Sequence, residues 1–109
     1  MNYLKGDIIL LPYPFTDLTT KKVRPAVVVG ITGNKYADIF IVPLTSRIKN
    51  LETGEFILKK WKEAGLNVPS AVKRGCVLID KDIIISKVGT LSKIDFERIE
   101  NSLRFWLEL

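Results

Sequence analysis

The chain has 109 residues, with 17 Lys/Arg against 12 Asp/Glu, a formal net charge of +5, one cysteine and no histidine. That length fits one domain, residues 1–109, around a single core, and 47% hydrophobic with 27% charged residues describes a globular chain, not a disordered one. Without histidine there is no histidine acid–base pair and no Ser/His or Cys/His dyad, and zinc lacks its usual ligands.

The acidic residues are scattered along the chain, so no all-carboxylate metal site stands out, and no cofactor is expected. A lone cysteine, Cys76, forms no internal disulfide and points to a reducing cytoplasm. No apolar run approaches the roughly 20 residues of a membrane span. The N-terminal residues lack the apolar core of a secretion signal. Residues 1–79 hold 12 Lys/Arg and 6 Asp/Glu, whereas residues 80–109 hold 5 and 6. The basic excess therefore lies ahead of the C-terminal segment, and such a field favours polyanions.

In chain order, Ile8-Ile9-Leu10-Leu11 is an apolar run bounded by Gly6-Asp7 and by Pro12 and Pro14, which predicts a short strand buried on both faces or at the closed part of a barrel. Residues 17–23 lack apolar periodicity and read as a loop. Arg24 opens the next strand ahead of the β-branched run to Ile31; taken alone, it is a strand-end arginine with a solvated head. Gly33-Asn34 signals a turn. Residues 37–44 form a further strand that ends in Pro43-Leu44-Thr45-Ser46-Arg47. After a loop at residues 49–54, Glu55-Phe56-Ile57-Leu58 is a strand leading into Lys59-Lys60-Trp61-Lys62-Glu63-Ala64-Gly65, one or two helical turns with a glycine stop. Trp61 among lysines reads first as packing that turn onto the sheet, with base stacking as the alternative. Residues 69–72 and 76–79 are extended, Asp80-Lys81-Asp82 turns the chain, and Ile83-Ile84-Ile85 begins the last strand, with Val88 as its farthest reach. Ser92 followed by Asp95 marks a helix start, with Leu91 and Phe96 at staple positions. Ile94, Ile99, Leu103, Trp106 and Leu107 form its expected apolar face, and Phe105 adds aromatic bulk for core or dimer contact. Five or six short strands and a late helix predict a mainly β chain curled into a small SH3-like barrel with a C-terminal α-helix.

Several pieces recur in a specific order: Gly6-Asp7-Ile8-Ile9-Leu10, Pro14-Phe15-Thr16-Asp17, Arg24-Pro25-Ala26-Val27-Val28, Pro43-Leu44-Thr45-Ser46, and Asp80-Lys81 followed by Lys87-Val88-Gly89-Thr90-Leu91-Ser92. Over nearly its whole length the chain resembles the PemK/MazF family of type II toxin–antitoxin ribotoxins. The resemblance implies a CcdB-like β-barrel, a homodimer, and metal-free cleavage of single-stranded RNA. It also implies neutralisation by an antitoxin whose flexible C-terminal tail lies across the RNA groove. The family's catalytic arginine matches Arg24, and its catalytic hydroxyl matches Thr45, with Ser46 beside it. Many relatives carry an acidic residue and a glutamine ahead of the Asp-Lys turn. Here Lys73-Arg74-Gly75-Cys76 stands instead, one residue shorter, and Lys73 and Arg74 take the role of phosphate contacts.

Metal-free RNA cleavage sends the ribose 2′-hydroxyl against the adjacent phosphate and leaves a 2′,3′-cyclic phosphate and a 5′-hydroxyl. With no histidine, the dianionic phosphorane falls to an arginine fork, here Arg24, with proton donation to the leaving oxygen as its second role. Thr45 would hold the phosphate in line. The base is left open between a carboxylate such as Asp17 and a second arginine. Lys21, Lys22, Arg47 and Lys49, on the two loops flanking this site, would gather the RNA backbone. Two other classes fit parts of the same pattern: a non-catalytic SH3-like module for RNA or an acidic peptide, and a CcdB-like gyrase inhibitor.

Overall fold

The computed structural model describes residues 2–14, 22–33 and 38–109. Among these residues, seven strands and one α-helix follow in order: β1 (Asp7–Pro12), β2 (Val23–Ile31), β3 (Asp38–Thr45), β4 (Phe56–Ile57), β5 (Ala71–Val72), β6 (Val77–Asp80), β7 (Ser86–Thr90) and α1 (Lys93–Leu107). Every pairing is antiparallel, and the strand path runs β4-β5-β3-β2-β1-β7, with β6 also paired to β3. The mainly β architecture with a C-terminal helix is as expected. The barrel is not closed.

The reason lies in β3. Its outer edge is shared by two short strands, β6 against residues 38–41 and β5 against Leu44 and Thr45. No long edge strand is left to meet β7, and no ladder among the described residues joins the two ends of the path.

The central strands β1, β2 and β3 are apolar on both faces, and each face carries its own core. On one side Ile8, Val27, Val42, Leu44 and Val72 pack against Ile99, Leu103 and Trp106 of α1. On the other, Ile9, Leu11, Ala26, Val28, Ile39, Ile41 and Ile79 are covered by Tyr3, Val77, Ile83 and Ile84. Burying each such aliphatic side chain stabilises the fold by about 1.5–3 kcal/mol, which explains why the sequence shows continuous apolar runs here and not alternation.

Three expectations need correction. Residues 83–85 are not a strand: Lys81–Ile83 forms a 3-10 turn capped by Asp80, whose carboxylate accepts from the Asp82 amide (2.9 Å), and β7 starts only at Ser86. Residues 59–65 form a hydrogen-bonded turn, not a regular helix. The glycine stop is nevertheless present, because Leu66 N donates to Trp61 O (3.2 Å) and Gly65 N to Lys62 O (3.1 Å), with Gly65 at φ +94°. Trp61 packs on the helix-side core, as the packing reading expected. Finally, α1 is capped by Ser92, whose Oγ accepts from Asp95 N, and Ile99, Leu103 and Trp106 of the expected apolar face do pack on the core, but Ile94 and Leu107 do not. Ile94 and Leu107 are half exposed, while Asp95 and Ser102 are buried. Both buried polar groups serve a neighbouring loop. Asp95 accepts from the Lys59 and Lys60 amides (3.0 and 2.9 Å), and Ser102 Oγ donates to Gly54 O (2.7 Å).

Candidate active site

Strand register decides which polar groups meet. In the β1–β2 ladder Leu11 faces Arg24, and Tyr13 N donates to Lys22 O (2.9 Å) just beyond it. In the β2–β3 ladder Ile31 faces Ile39 and Gly30 faces Phe40, but after a bulge at Val29 the register slips, so that Val28 faces Ile41 and Ala26 faces Pro43. Continued two residues, the slipped register sets Arg24 opposite Thr45. Without the bulge the partner of Arg24 would be Ser46, because one residue of slip exchanges the two faces. Side-chain alternation puts Arg24 on the face of Ala26 and Val28, and Thr45 on the face of Ile41. The two therefore share one face of the sheet, just past the rim of its second core.

Arg24 is exposed. Its guanidinium donates to Val23 O (3.0 Å), and its carbon lies 5.5 Å from the centroid of the Tyr13 ring, close enough for a cation–π contact that restrains the head. Thr45 is half-buried, and its Oγ1 accepts from the Arg47 amide (3.1 Å), a local turn that leaves the hydroxyl proton free to be donated.

Both residues line one open cleft of about 610 Å³ together with Lys22, Arg47, Lys49 and Lys73; Tyr13, Asn50 and Glu55 complete its polar wall. Five cations face a single carboxylate. Of the residues expected at the site, Arg24, Thr45, Lys22, Arg47, Lys49 and Lys73 are brought together. Ser46 is exposed beside Thr45 but does not line the cleft. Arg74 is also off the lining, pairing with Glu52 at 3.4 Å between two exposed side chains. Asp17 and Lys21 lie outside the described residues, as do Phe15 and Asn34.

Tyr13, Asn50 and Glu55 were not singled out in the sequence. Tyr13 sits between Pro12 and Pro14, and nothing in that context marks it as an arginine partner. Glu55 looks like a plain strand-entry residue. In the structure its carboxylate is nearly buried (3% exposed) and lies 3.6 Å from Lys73 Nζ. Its two oxygens accept from the Glu52 amide (2.9 Å) and the Arg74 amide (2.9 Å). Burial pushes its pKa up, but the two amide hydrogen bonds and the Lys73 charge outweigh that and hold it below the ordinary carboxylate value. Cys76 is off the cleft, and partial burial raises its thiol pKa, the opposite of an activated nucleophile. Among the described residues no cluster of three or more carboxylate or thiol groups is placed to hold a metal ion, and no helix is long and apolar enough to cross a membrane.

The molecule is thus an open antiparallel sheet with a helix on one face and a basic cleft at the strand ends of the other. The family model of PemK-like, MazF-like toxins of type II toxin–antitoxin systems matches residues 4–107, and the chain belongs to that family. Solved structures agree on the fold. An endoribonuclease in complex with its cognate antitoxin, from a mycobacterial species, superposes with a TM-score of 0.78 at 15% identity, covering 99% of this chain and 97% of that one. An endoribonuclease from a mycobacterial species gives 0.75 at 19% identity over 100% and 95% of the two chains. The Mycobacterium tuberculosis toxin MazF-mt6 gives 0.68 at 17% identity over 94% and 97%. Among curated proteins, none matches the sequence closely enough to count as a relative.

Proposed function

We propose that this toxin is a metal-independent endoribonuclease that cuts single-stranded mRNA and thereby stops translation and growth. The observation that carries this reading is the placement of Arg24 and Thr45, from two different strands, on one floor of a cleft lined by five cations. The 2′-hydroxyl loses its proton, the bond from O2′ to phosphorus forms, the bond from phosphorus to O5′ breaks, and the leaving oxygen takes up a proton. The planar Arg24 fork, steadied by Tyr13, meets two oxygens of the phosphorane, where charge is greatest in the transition state. Thr45 donates its hydroxyl to the same phosphate and keeps the attack in line. Lys22, Arg47, Lys49 and Lys73 take the flanking phosphates, which makes binding strongly salt-dependent.

Glu55 is a poor base, because its oxygens are already engaged and its pKa is lowered. The 2′-proton is assigned to Asp17 or to a second arginine, of which the cleft offers Arg47. The cleft's charge suits an acidic antitoxin tail as a competitor for the same surface, and the protein would act in the cytoplasm as a homodimer.

The test is an incubation with a mixed single-stranded RNA pool in EDTA. Discrete cuts ending in a 2′,3′-cyclic phosphate are expected, whereas RNA held but left intact would mean a binding module. Arg24→Ala should lower the rate by about a hundredfold or more, the loss typical of one transition-state donor. Its exposed position means that the fold stays intact, checked by circular dichroism. An Arg24→Ala protein that cuts at the wild-type rate removes the assignment.

A further inference from the structure

The buried carboxylate in the cleft wall has no part in the chemistry above, yet it is the most heavily engaged side chain there. Register shows where it stands. Phe56 faces Val72 in the β4–β5 ladder, so the same register continued by one residue sets Glu55 opposite Lys73. Lys73 N in turn donates to Pro43 O (2.8 Å), and Pro43 faces Ala26. Ala26, Pro43, Lys73 and Glu55 thus form one row across the sheet. The next row outward on the same face holds Arg24, Thr45 and Ala71, two residues further along each strand, or about 7 Å.

The opposite face fixes Glu55 in that row. Trp106 Nε1 donates to Thr53 O (3.1 Å) and Ser102 Oγ to Gly54 O (2.7 Å), so α1 grips the turn just ahead of it. Gly54 stands at φ +90°, and a Cβ there would run into the Trp106 indole, so the turn has one shape. Glu55 N closes it by donating to Glu52 O (2.9 Å).

We propose that Glu55 is a positioning residue for the cleavage site: its carboxylate ties the loop at Glu52 to the chain at Arg74 and holds the Lys73 ammonium one row from the Arg24–Thr45 pair, where it engages the phosphate next to the scissile one. The proposal rests on the ribonuclease reading. A lysine side chain that is 59% exposed has many rotamers, and a fixed counter-ion selects among them. The same carboxylate costs affinity, since it places a negative charge in a cleft built for a polyanion. It therefore trades binding strength for alignment.

That trade sets the test. Glu55→Gln keeps the size of the side chain and removes the charge. Cleavage of the single-stranded RNA pool in EDTA should show kcat reduced at least about tenfold, as misalignment of a reacting group does, with KM no higher than wild type. Binding of an uncleavable 2′-O-methyl oligonucleotide should be as tight or tighter. Hydrogen exchange should show the Glu52 and Arg74 amides losing protection together while those of β1 and β2 keep theirs. A purely structural role would change the folded fraction and leave kcat per folded molecule alone.

A Glu55→Gln protein with wild-type kcat, or with Glu52 and Arg74 amides as protected as before, overturns the proposal. If the wild type itself leaves the RNA intact, the ribonuclease reading falls and this one with it, a result distinct from the wild type and variant cutting equally fast. Should Glu55→Gln fail to fold, Lys73→Met decides, because it leaves both backbone hydrogen bonds of Glu55 in place. Its kcat should fall about tenfold, as with Glu55→Gln, because the aligned ammonium is gone, and its KM should rise several-fold as one phosphate contact is lost. Unchanged constants there also overturn the proposal.

Discussion

The two faces of the central sheet treat charge in opposite ways. On the helix side, Asp95 is fully buried and every bond it makes is structural. It accepts from the amides of Lys59 and Lys60 and from Ser92 Oγ (3.3 Å), and it pairs with Arg98 Nη1 at 3.1 Å. Arg98 is itself laid over the Phe56 ring at 4.0 Å. No buried side-chain nitrogen or oxygen among the described residues lacks a hydrogen-bond partner. On the cleft side, cations gather in an open trough, and five of them face one carboxylate. Removing one partner from a buried, fully bonded ion pair is costly, whereas an exposed excess of one sign of charge attracts polyanions. The helix and the turn at residues 59–65 carry the first arrangement, and the strand ends and loops around Arg24, Thr45 and Lys73 carry the second.

The sharpest way to break this contrast is to remove the buried carboxylate. Asp95→Ala leaves two backbone amides without acceptors and Arg98 without its ion pair, a loss of about 3 kcal/mol. For a domain of this size that lowers Tm by on the order of 15 °C. RNA cleavage per folded molecule should stay at the wild-type rate, measured well below the new Tm. A Tm within a few degrees of wild type would show that the turn at residues 59–65 holds without its cap.

The helix start was legible because Ser92 and Asp95 are three residues apart and capping is local. The second role of Asp95 was not, because its amide partners are 35 and 36 residues away and nothing in a helical pattern points to them. Counting apolar residues therefore put Ile94 and Leu107 on the buried face, where Asp95 and Ser102 stand. β1 was legible because a run buried on both faces has no polar position to confuse it. The open sheet was not, since closure depends on how β5 and β6 divide one edge of β3. At the site, Arg24 stood out as a charge opening an apolar strand in a chain without histidine, but its match to a catalytic arginine, and that of Thr45 to a catalytic hydroxyl, came from the family resemblance. What makes Thr45 and not Ser46 the partner is the bulge at Val29, a tertiary feature that the apolar run through Ile31 does not reveal.

Thr45 gives a smaller effect on the cleft side. Thr45→Ala removes one hydroxyl donor from the phosphate and the local acceptor for the Arg47 amide. The expected loss in kcat is about tenfold, below that for Arg24, because a neutral donor contributes less than a charged fork. Thr45→Ser should keep most of the rate, since the hydroxyl remains. Equal activity of Thr45→Ala and wild type would reduce the residue to a strand end and leave Ser46 as the hydroxyl to test.

The smallest effect is in pH, and it sharpens the comparison at the one carboxylate the cleft keeps. The folded-state pKa of Glu55 is lowered from its ordinary value of 4.5, so its ionised form contributes stability that is fully present above that value. This contribution is lost as pH falls through the folded pKa, when the carboxylate takes up a proton and can no longer accept from both amides and pair with Lys73. The Tm difference between wild type and Glu55→Gln should hold steady from neutral pH down to about 5 and shrink below about 4.5. A difference that persists undiminished at pH 3 would mean that shape and not charge holds the Glu52 and Arg74 walls together. Asp7 provides the control, a buried carboxylate paired with a lysine outside the cleft. Its carboxylate is also buried, but it faces Lys87 at 3.3 Å on the far side of β1, so Lys87→Met should leave the Glu55 profile where it was.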